Sequence, residues 1–244
     1  MVNSDVDDNR EVKRIQTGIE GLDDLLYGGL PEGSQSLILG SVGTAKSLLV
    51  FQILYNNAKQ GIPCTFVLID QKKEDFIKNA ASAFTNLKDI DDLINKKLLN
   101  VSESKAYDKF TTHKSEMLFI ADIVEAVRSN NSKVVALDSI DMIRTLFSDD
   151  REFTRVVNYV IENLRVVGVT SAITMELSEN VAETNVPGLY GESAFDGIIK
   201  LANVVKGDIT QHMGSVMKLR YSKYKSMSKL VEITPDGIVM KYVE

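Results

Sequence analysis

Short apolar runs alternate along this chain with stretches whose apolar residues recur at helical spacing. Ser36-Leu37-Ile38-Leu39 reads as a buried strand, and Ser47 to Lys59 follows with Leu48, Leu49, Phe51, Ile53, Leu54 and Tyr55, the pattern of a well-buried helix. Thr65 to Ile69 is a second strand, and Glu74 to Phe84 a helix with Phe76, Ile77, Ala80, Ala81 and Phe84 on one side. A strand at Leu98 to Ser102, a helix at Met117 to Arg128 and a strand at Val134 to Leu137 come next. The long amphipathic helix Phe153 to Val166 then leads into a strand from Thr170 to Met175. Strands that alternate with helices require crossover connections, so the expected sheet is mainly parallel and covered on both faces.

The alternation stops near residue 196. Ile198 to Val205, Ser215 to Tyr221, Leu230 to Ile233 and Ile238 to Tyr242 are strand-like with no helix between them, and Pro235-Asp236-Gly237 signals a turn. An antiparallel extension is expected at one edge of the sheet. The fold class is therefore α/β, three layers, with a mainly parallel central sheet and an antiparallel C-terminal extension. Residues 1–10, polar and acidic with Asp5, Asp7 and Asp8, read as a disordered tail, and residues 11–244 as one domain.

Composition changes this picture little but removes several functions. The 244 residues carry a net charge of −6, which argues against broad nucleic-acid binding while leaving room for a local basic patch. Cys64 is the single cysteine, so neither an intramolecular disulfide framework nor a cysteine-cluster metal site is available. His113 and His212 have no ligand-like spacing and read as ordinary surface or loop histidines. No apolar run approaches the roughly 20 residues that span a bilayer. The polar start does not resemble a secretory signal, so a cytoplasmic location without a membrane is the default expectation.

The chemistry concentrates between the first strand and the first long helix, in Gly40, Ser41, Val42, Gly43, Thr44, Ala45, Lys46, Ser47 and Leu48. A phosphate-binding loop needs glycines so that backbone N–H groups can converge on oxygens. It also needs a lysine for the β and γ phosphates, Ser or Thr as a Mg²⁺ ligand, and a helix whose positive end faces the anion. Gly40, Gly43, Lys46 and Ser47 fill those places. Ala45 stands where glycine is usual. If that position has positive φ, its Cβ costs about 1–2 kcal/mol. The competing reading is a Gly/Ser turn joining unrelated elements.

Val134-Val135-Ala136-Leu137-Asp138 is an apolar strand ending in an acid, the form in which P-loop folds present a carboxylate to Mg²⁺. Asp138 is the metal-side candidate beside Ser47, with a helix N-cap as its alternative role. Asp141 reads as a solvated neighbour.

Arg14-Ile15-Gln16-Thr17-Gly18-Ile19-Glu20-Gly21-Leu22-Asp23-Asp24-Leu25-Leu26-Tyr27-Gly28-Gly29-Leu30-Pro31-Glu32-Gly33, directly before the phosphate loop, resembles the opening segment of KaiC-like ATPases of the RecA/RadA superfamily. The likeness continues through Asp70 to Asp75, Leu137-Asp138-Ser139, Thr174-Met175-Glu176, Tyr190-Gly191-Glu192 and Lys218-Leu219-Arg220, and so covers roughly residues 12–242. The chain resembles a single-domain member of that family, close to archaeal RadA paralogues. The resemblance implies a RecA-like P-loop fold, ATP and Mg²⁺ as ligands, and a homo-oligomeric ring or filament with nucleotide between subunits. ATP rather than GTP rests on it alone.

In the family a Lys-x-Arg pair on a late strand reaches the neighbour's γ-phosphate, and Lys218 and Arg220 match it. Residues two apart on a strand share a face at about 7 Å, so both could address one phosphate, with Met217, Leu219 and Tyr221 facing away. The bland alternative is a solvated basic strand face. The family's paired glutamates after the second strand are Asp70 and Gln71 here. Asp is one methylene shorter and Gln accepts no proton. The family's Gly and His after the Lys-x-Arg pair are Tyr221 and Tyr224. With Ala45, these departures imply a slow ATPase or a non-hydrolysing assembly module. A third expectation is a DNA-repair accessory that binds single-stranded DNA, or a recombinase partner, through the basic run from Lys218 to Lys229 with Tyr221 and Tyr224 interleaved.

Overall fold

The computed structural model describes residues 12–69, 71–84, 87–104, 115–177 and 192–243. The expected tail, residues 1–10, lies outside them, as do Asp70, His113, Tyr190 and Gly191.

The strands are β1 (Arg14–Ile15), β2 (Leu30–Pro31), β3 (Gln35–Gly40), β4 (Cys64–Ile69), β5 (Leu99–Ser104), β6 (Val134–Asp138), β7 (Thr170–Glu176), β8 (Gly197–Lys206), β9 (Ile209–Leu219), β10 (Ser228–Thr234) and β11 (Gly237–Lys241). The helices are α1 (Leu22–Leu25), α2 (Lys46–Lys59), α3 (Lys73–Ala83), α4 (Ile90–Asn95), α5 (Ser115–Ser129) and α6 (Asp150–Val167), with a 3₁₀ turn over Ile140–Leu146. Nine strands form one sheet in the order β11-β10-β9-β8-β3-β7-β6-β4-β5. From β8 to β5 all neighbours are parallel, and β9, β10 and β11 are added antiparallel. The expected parallel sheet and antiparallel edge are both present.

The strand pleat makes the three layers. Ile38, Phe66, Leu68, Val134 and Ala136 face one core with α2, α3 and α4. Leu37, Leu39, Val67, Ile69, Val135 and Leu137 face the other, with α5 and α6. Phe51 of α2, Phe66 of β4 and Phe76 of α3 meet in the first core with ring centroids 4.9–5.7 Å apart. Helix α6 starts where the Asp149 carboxylate accepts the amides of Arg151 and Glu152, and stops at Gly168, φ 81°.

The opening segment locks onto the helix that follows the phosphate loop. The Asp23 carboxylate accepts the Thr17 amide and hydroxyl and the Gly18 amide, closing a tight turn. Asn56 and Asn57 of α2 then donate to the carbonyls of Thr17, Gly18 and Gln16. Residues 16–23 thus brace the last turn of α2.

Two details of the late strands differ from expectation. Strand β9 begins at Ile209, not Ser215, and forms with β8 a hairpin whose outer half is largely exposed, which is why its polar start gave no strand signal. A β-bulge then breaks the register: Ile198 pairs with Lys218 but Ile199 with Val216, leaving Met217 extra. Val216 and Leu219 both enter the core while Met217 is exposed, and Tyr221 lies beyond the strand. Met217, Leu219 and Tyr221 therefore do not share a face.

Candidate functional site

Strand β3, the loop 41–45 and helix α2 form one continuous turn at the C-terminal edge of the sheet. Gly40 is required for space: a Cβ there would lie 2.6 Å from the Thr44 hydroxyl and 2.7 Å from the Leu201 carbonyl of β8. Gly43 is required for conformation, with φ 75° and open space where a Cβ would point. Ala45 adopts φ 64°, ψ 27°, the left-handed region, so its methyl group carries the expected strain.

Thr44 is buried and donates its hydroxyl to the Ser41 carbonyl at 2.8 Å, which draws the loop into a closed curve. Lys46 folds back across that curve, its Nζ 2.8 Å from the Gly40 carbonyl and 2.9 Å from that of Ser41. The first backbone bond entering α2 runs from the Leu49 amide to the Ala45 carbonyl at 2.9 Å. The amides before it have no intrahelical acceptor, and with the helix dipole they form a ready site for an anion.

The carboxylate side comes from strand order. Asp138 ends β6 and Thr174 lies near the end of β7, the strand between β6 and β3. Asp138 is 6% exposed. The Thr174 hydroxyl donates to its Oδ1, and the Ser47 side chain lies near enough to act on the same carboxylate. Asp138 caps no helix: Ser139 occupies the cap position of the following 3₁₀ turn, without a side-chain bond. Burial pushes the Asp138 carboxyl above its usual range, against the pull of Thr174, Ser47 and Lys46. Burial likewise pushes Lys46 below its usual value, opposed by Glu176, Asp141 and Asp138. A buried carboxylate beside the Ser47 hydroxyl of the loop is a donor set of hard oxygens, which fits Mg²⁺.

Three neighbours escaped the sequence reading. Thr174 fixes Asp138, and Glu176 ends β7 within the field of Lys46. Asp141, expected to be merely solvated, accepts the Glu176 amide at 2.9 Å and joins the same field. Only the order of strand tips brings these groups together.

The remaining candidates lie elsewhere. Asp70 is outside the described residues, and Gln71 is exposed in the bend after β4. Leu219 pairs with Gly197, which pairs with Ser36, four residues before Gly40. Lys218 and Arg220 are thus about 13 Å along the strands from the phosphate loop of their own chain, at the opposite sheet edge. Arg220 donates to the Ser193 carbonyl at 2.7 Å and stands 3.9 Å from Asp196. The basic run splits: Lys225 and Lys229 both bind the Asp24 carboxylate, and Tyr224 donates its hydroxyl to the Met217 carbonyl.

Among the described residues no cluster of three or more His, Cys, Asp or Glu could hold a metal, and no helix is long and apolar enough to cross a membrane. His212 is hydrogen-bonded to Asn203.

Residues 15–243 match the family described as "ATPase: KaiC". The circadian clock oscillator protein KaiC of Rippkaea orientalis is 29% identical over 230 residues, covering 93% of this chain and 44% of that protein. The chain therefore spans less than half the length of such clock relatives. A UPF0273 protein of Pyrococcus furiosus is 27% identical over 238 residues and matches end to end, with 94% of each chain covered. The crystal structure of a KaiC-like protein from Pyrococcus horikoshii superposes with a TM-score of 0.80 at 26% identity, covering 94% of this chain and 99% of that one.

Proposed function

The chain belongs to the KaiC ATPase family, and from that premise we propose that residues 11–244 form one RecA-type domain that binds Mg²⁺-ATP on Gly40–Leu48 and hydrolyses it slowly. One observation carries the reading: Lys46 and Ser47 at the end of the loop both act on the buried carboxylate of Asp138, two strands away. A mere Gly/Ser turn has no reason to meet a desolvated acid at the tip of a neighbouring strand.

In this reading the Lys46 ammonium exchanges the Gly40 and Ser41 carbonyls for phosphate oxygens, and the loop amides take the rest. Ser47 and Asp138 would hold Mg²⁺, which would supply charge neutralisation for the phosphates. Asp70 is the candidate to orient or deprotonate the attacking water, a task Gln71 cannot share. Lys218 and Arg220, remote from their own loop, complete the site of a neighbouring copy in a homo-oligomeric ring or filament.

Titration of the purified chain with Mg²⁺-ATP, with phosphate release followed in parallel, tests this. The expected result is saturable binding and slow turnover, both lost in Lys46→Ala. Wild-type protein that binds no Mg²⁺-ATP refutes the reading. A second reading, binding and assembly without hydrolysis, is favoured by the strained Ala45 beside the phosphates. It predicts nucleotide-dependent assembly with no phosphate released. Turnover in wild type that Asp70→Asn abolishes rejects it.

A further inference from the structure

We propose that Glu103, at the tip of β5, is a positioning residue for turnover: its carboxylate holds the far end of the connection from β4 to α3, the stretch of chain that carries Asp70 and Gln71. The proposal rests on the reading of Asp70 as the group that orients or deprotonates the attacking water.

The geometry begins with strand register. Strands β4 and β5 are parallel neighbours, with Leu68 level with Glu103 and Ile69 level with Ser104. Leu99 and Val101 of β5 enter the core that the sheet shares with α2, α3 and α4. Glu103, two positions further on, lies at the end of that same face. From there its Oε1 accepts the backbone amide of Lys73 at 2.8 Å. Lys73 is the first residue of α3, and only residues 70–72 separate it from Ile69, the last of β4. The last two residues of β5 therefore grip both ends of a short connection. Ser104, buried at 2% exposure, does so by pairing with Ile69, and Glu103 does so through its carboxylate.

Two features make this bond matter to chemistry. Lys72 occupies the cap position of α3 and makes no side-chain cap bond, since a lysine offers no acceptor. The leading amide of the helix is satisfied instead by a charged acceptor 30 positions away in the chain, one that the helix dipole also favours. The sheet, not the local sequence, thus fixes where α3 starts. The second feature is the shortness of Asp70. With one methylene fewer than a glutamate, it has less reach to adjust, so the position of the backbone sets more of its distance from the water. A displacement of about 1 Å at a catalytic group can cost on the order of 100-fold in rate. Lys46, Ser47 and Asp138 stand on α2 and β6, elements that this bond does not join. Loss of the bond should therefore slow the chemical step and spare the binding of Mg²⁺-ATP.

Steady-state ATP hydrolysis by the full chain, with Mg²⁺-ATP affinity from a separate titration, tests this. Glu103→Ala is expected to lower kcat about ten-fold or more with the dissociation constant for Mg²⁺-ATP unchanged. Glu103→Gln, whose side-chain carbonyl accepts the same amide, should keep most of the turnover. The bond can also be cut from its donor side. Lys73 is a first helical position, where proline is tolerated, and Lys72 at φ −76°, ψ 132° has the conformation that a residue before proline adopts. Lys73→Pro is expected to keep or raise Tm while its kcat falls as in Glu103→Ala, below that of Lys73→Ala, which loses the same side chain and keeps the amide. A merely structural bond would move Tm and kcat together. Wild type that releases no phosphate, or that Asp70→Asn leaves equally fast, overturns the reading of Asp70 and this proposal with it. With wild type active and dependent on Asp70, a kcat indifferent to Glu103→Ala, a kcat kept in Lys73→Pro, or a loss confined to Mg²⁺-ATP affinity overturns this proposal alone.

Discussion

Lys229 buries its ammonium against Asp24: Nζ lies 2.7 Å from Oδ2 with the lysine side chain only 2% exposed. The same carboxylate accepts from Lys225 and, at 3.0 Å, from the Tyr242 hydroxyl, and the Lys229 ammonium sits 4.1 Å from the Tyr242 ring centroid. One acid from α1 thus ties down the connection into β10 and the end of β11.

The two partners are not equivalent, which gives the first prediction. Removing Asp24 strands a buried charge, whereas replacing Lys229 by an apolar side chain of similar length leaves Asp24 with two other donors. Asp24→Ala is expected to lower Tm by several degrees and Lys229→Met to change it little, measured by thermal unfolding. Lys225, then Lys229 and Tyr242, hold the Asp24 carboxyl well below its usual range. A depressed folded value gives stability that is present above the unfolded pKa, about 3.9, and lost as pH falls towards the folded one. The node should therefore persist through mild acid and fail only below about pH 4.

Ala45 sets up the second prediction. At φ 64°, ψ 27° its Cβ is a steric burden that glycine lacks. Ala45→Gly is expected to stabilise the chain by a net of about 1 kcal/mol, the relief of the Cβ strain after subtraction of the entropy that glycine adds to the unfolded state. That is a rise in Tm of roughly 2–4 °C for a chain of this size. Mg²⁺-ATP affinity should rise as well, read by titration. A lower Tm would mean that the methyl group packs usefully enough to outweigh its backbone cost.

The loop was legible in the chain because its signal is local: a buried run, two glycines, Lys46-Ser47, then helical periodicity. The carboxylate side was legible only in part. Asp138 ends an apolar run, but Thr174 and Asp141 gain meaning from the order β3-β7-β6, and strand order leaves no mark on hydrophobic periodicity. The late strands hid more. A bulge at Met217 shifts the alternation by one residue, so that Val216 and Leu219 are both buried. The lysines from 218 to 229 look alike in sequence, yet Asp24, some two hundred positions earlier, pairs with two of them, of which Lys229 is buried.

Asp138 gives the third prediction. Burial raises its carboxyl, so this group favours folding in its protonated form and detracts from stability as pH rises through the folded value. Asp138→Asn removes the desolvated charge and keeps an oxygen to accept the Thr174 hydroxyl. The nucleotide-free variant is expected to melt a few degrees above wild type at neutral pH. The stabilisation that wild type gains from Mg²⁺-ATP should vanish in it. Thermal melts with and without Mg²⁺-ATP read both effects, and a variant still stabilised by Mg²⁺-ATP as strongly as wild type would remove Asp138 from the metal site.

Arg220 gives the last. It directly follows the antiparallel strand β9 at the edge opposite the phosphate loop, parked on the Ser193 carbonyl near Asp196. No rearrangement short of moving β9 carries it to its own loop, because the β3–β8–β9 register fixes the separation. If it contributes to turnover, it does so across a boundary between copies, where a guanidinium at the transferring phosphate can contribute on the order of 10³-fold or more. Arg220→Ala and Lys46→Ala are each expected to be inactive alone for different reasons, one lacking the reaching group and the other the cradle. Mixed under conditions that exchange subunits, some boundaries pair an intact loop with an intact arginine, and phosphate release should return. Mixtures as silent as the separate variants, with exchange verified by labelled subunits, would show that Arg220 serves only its own chain.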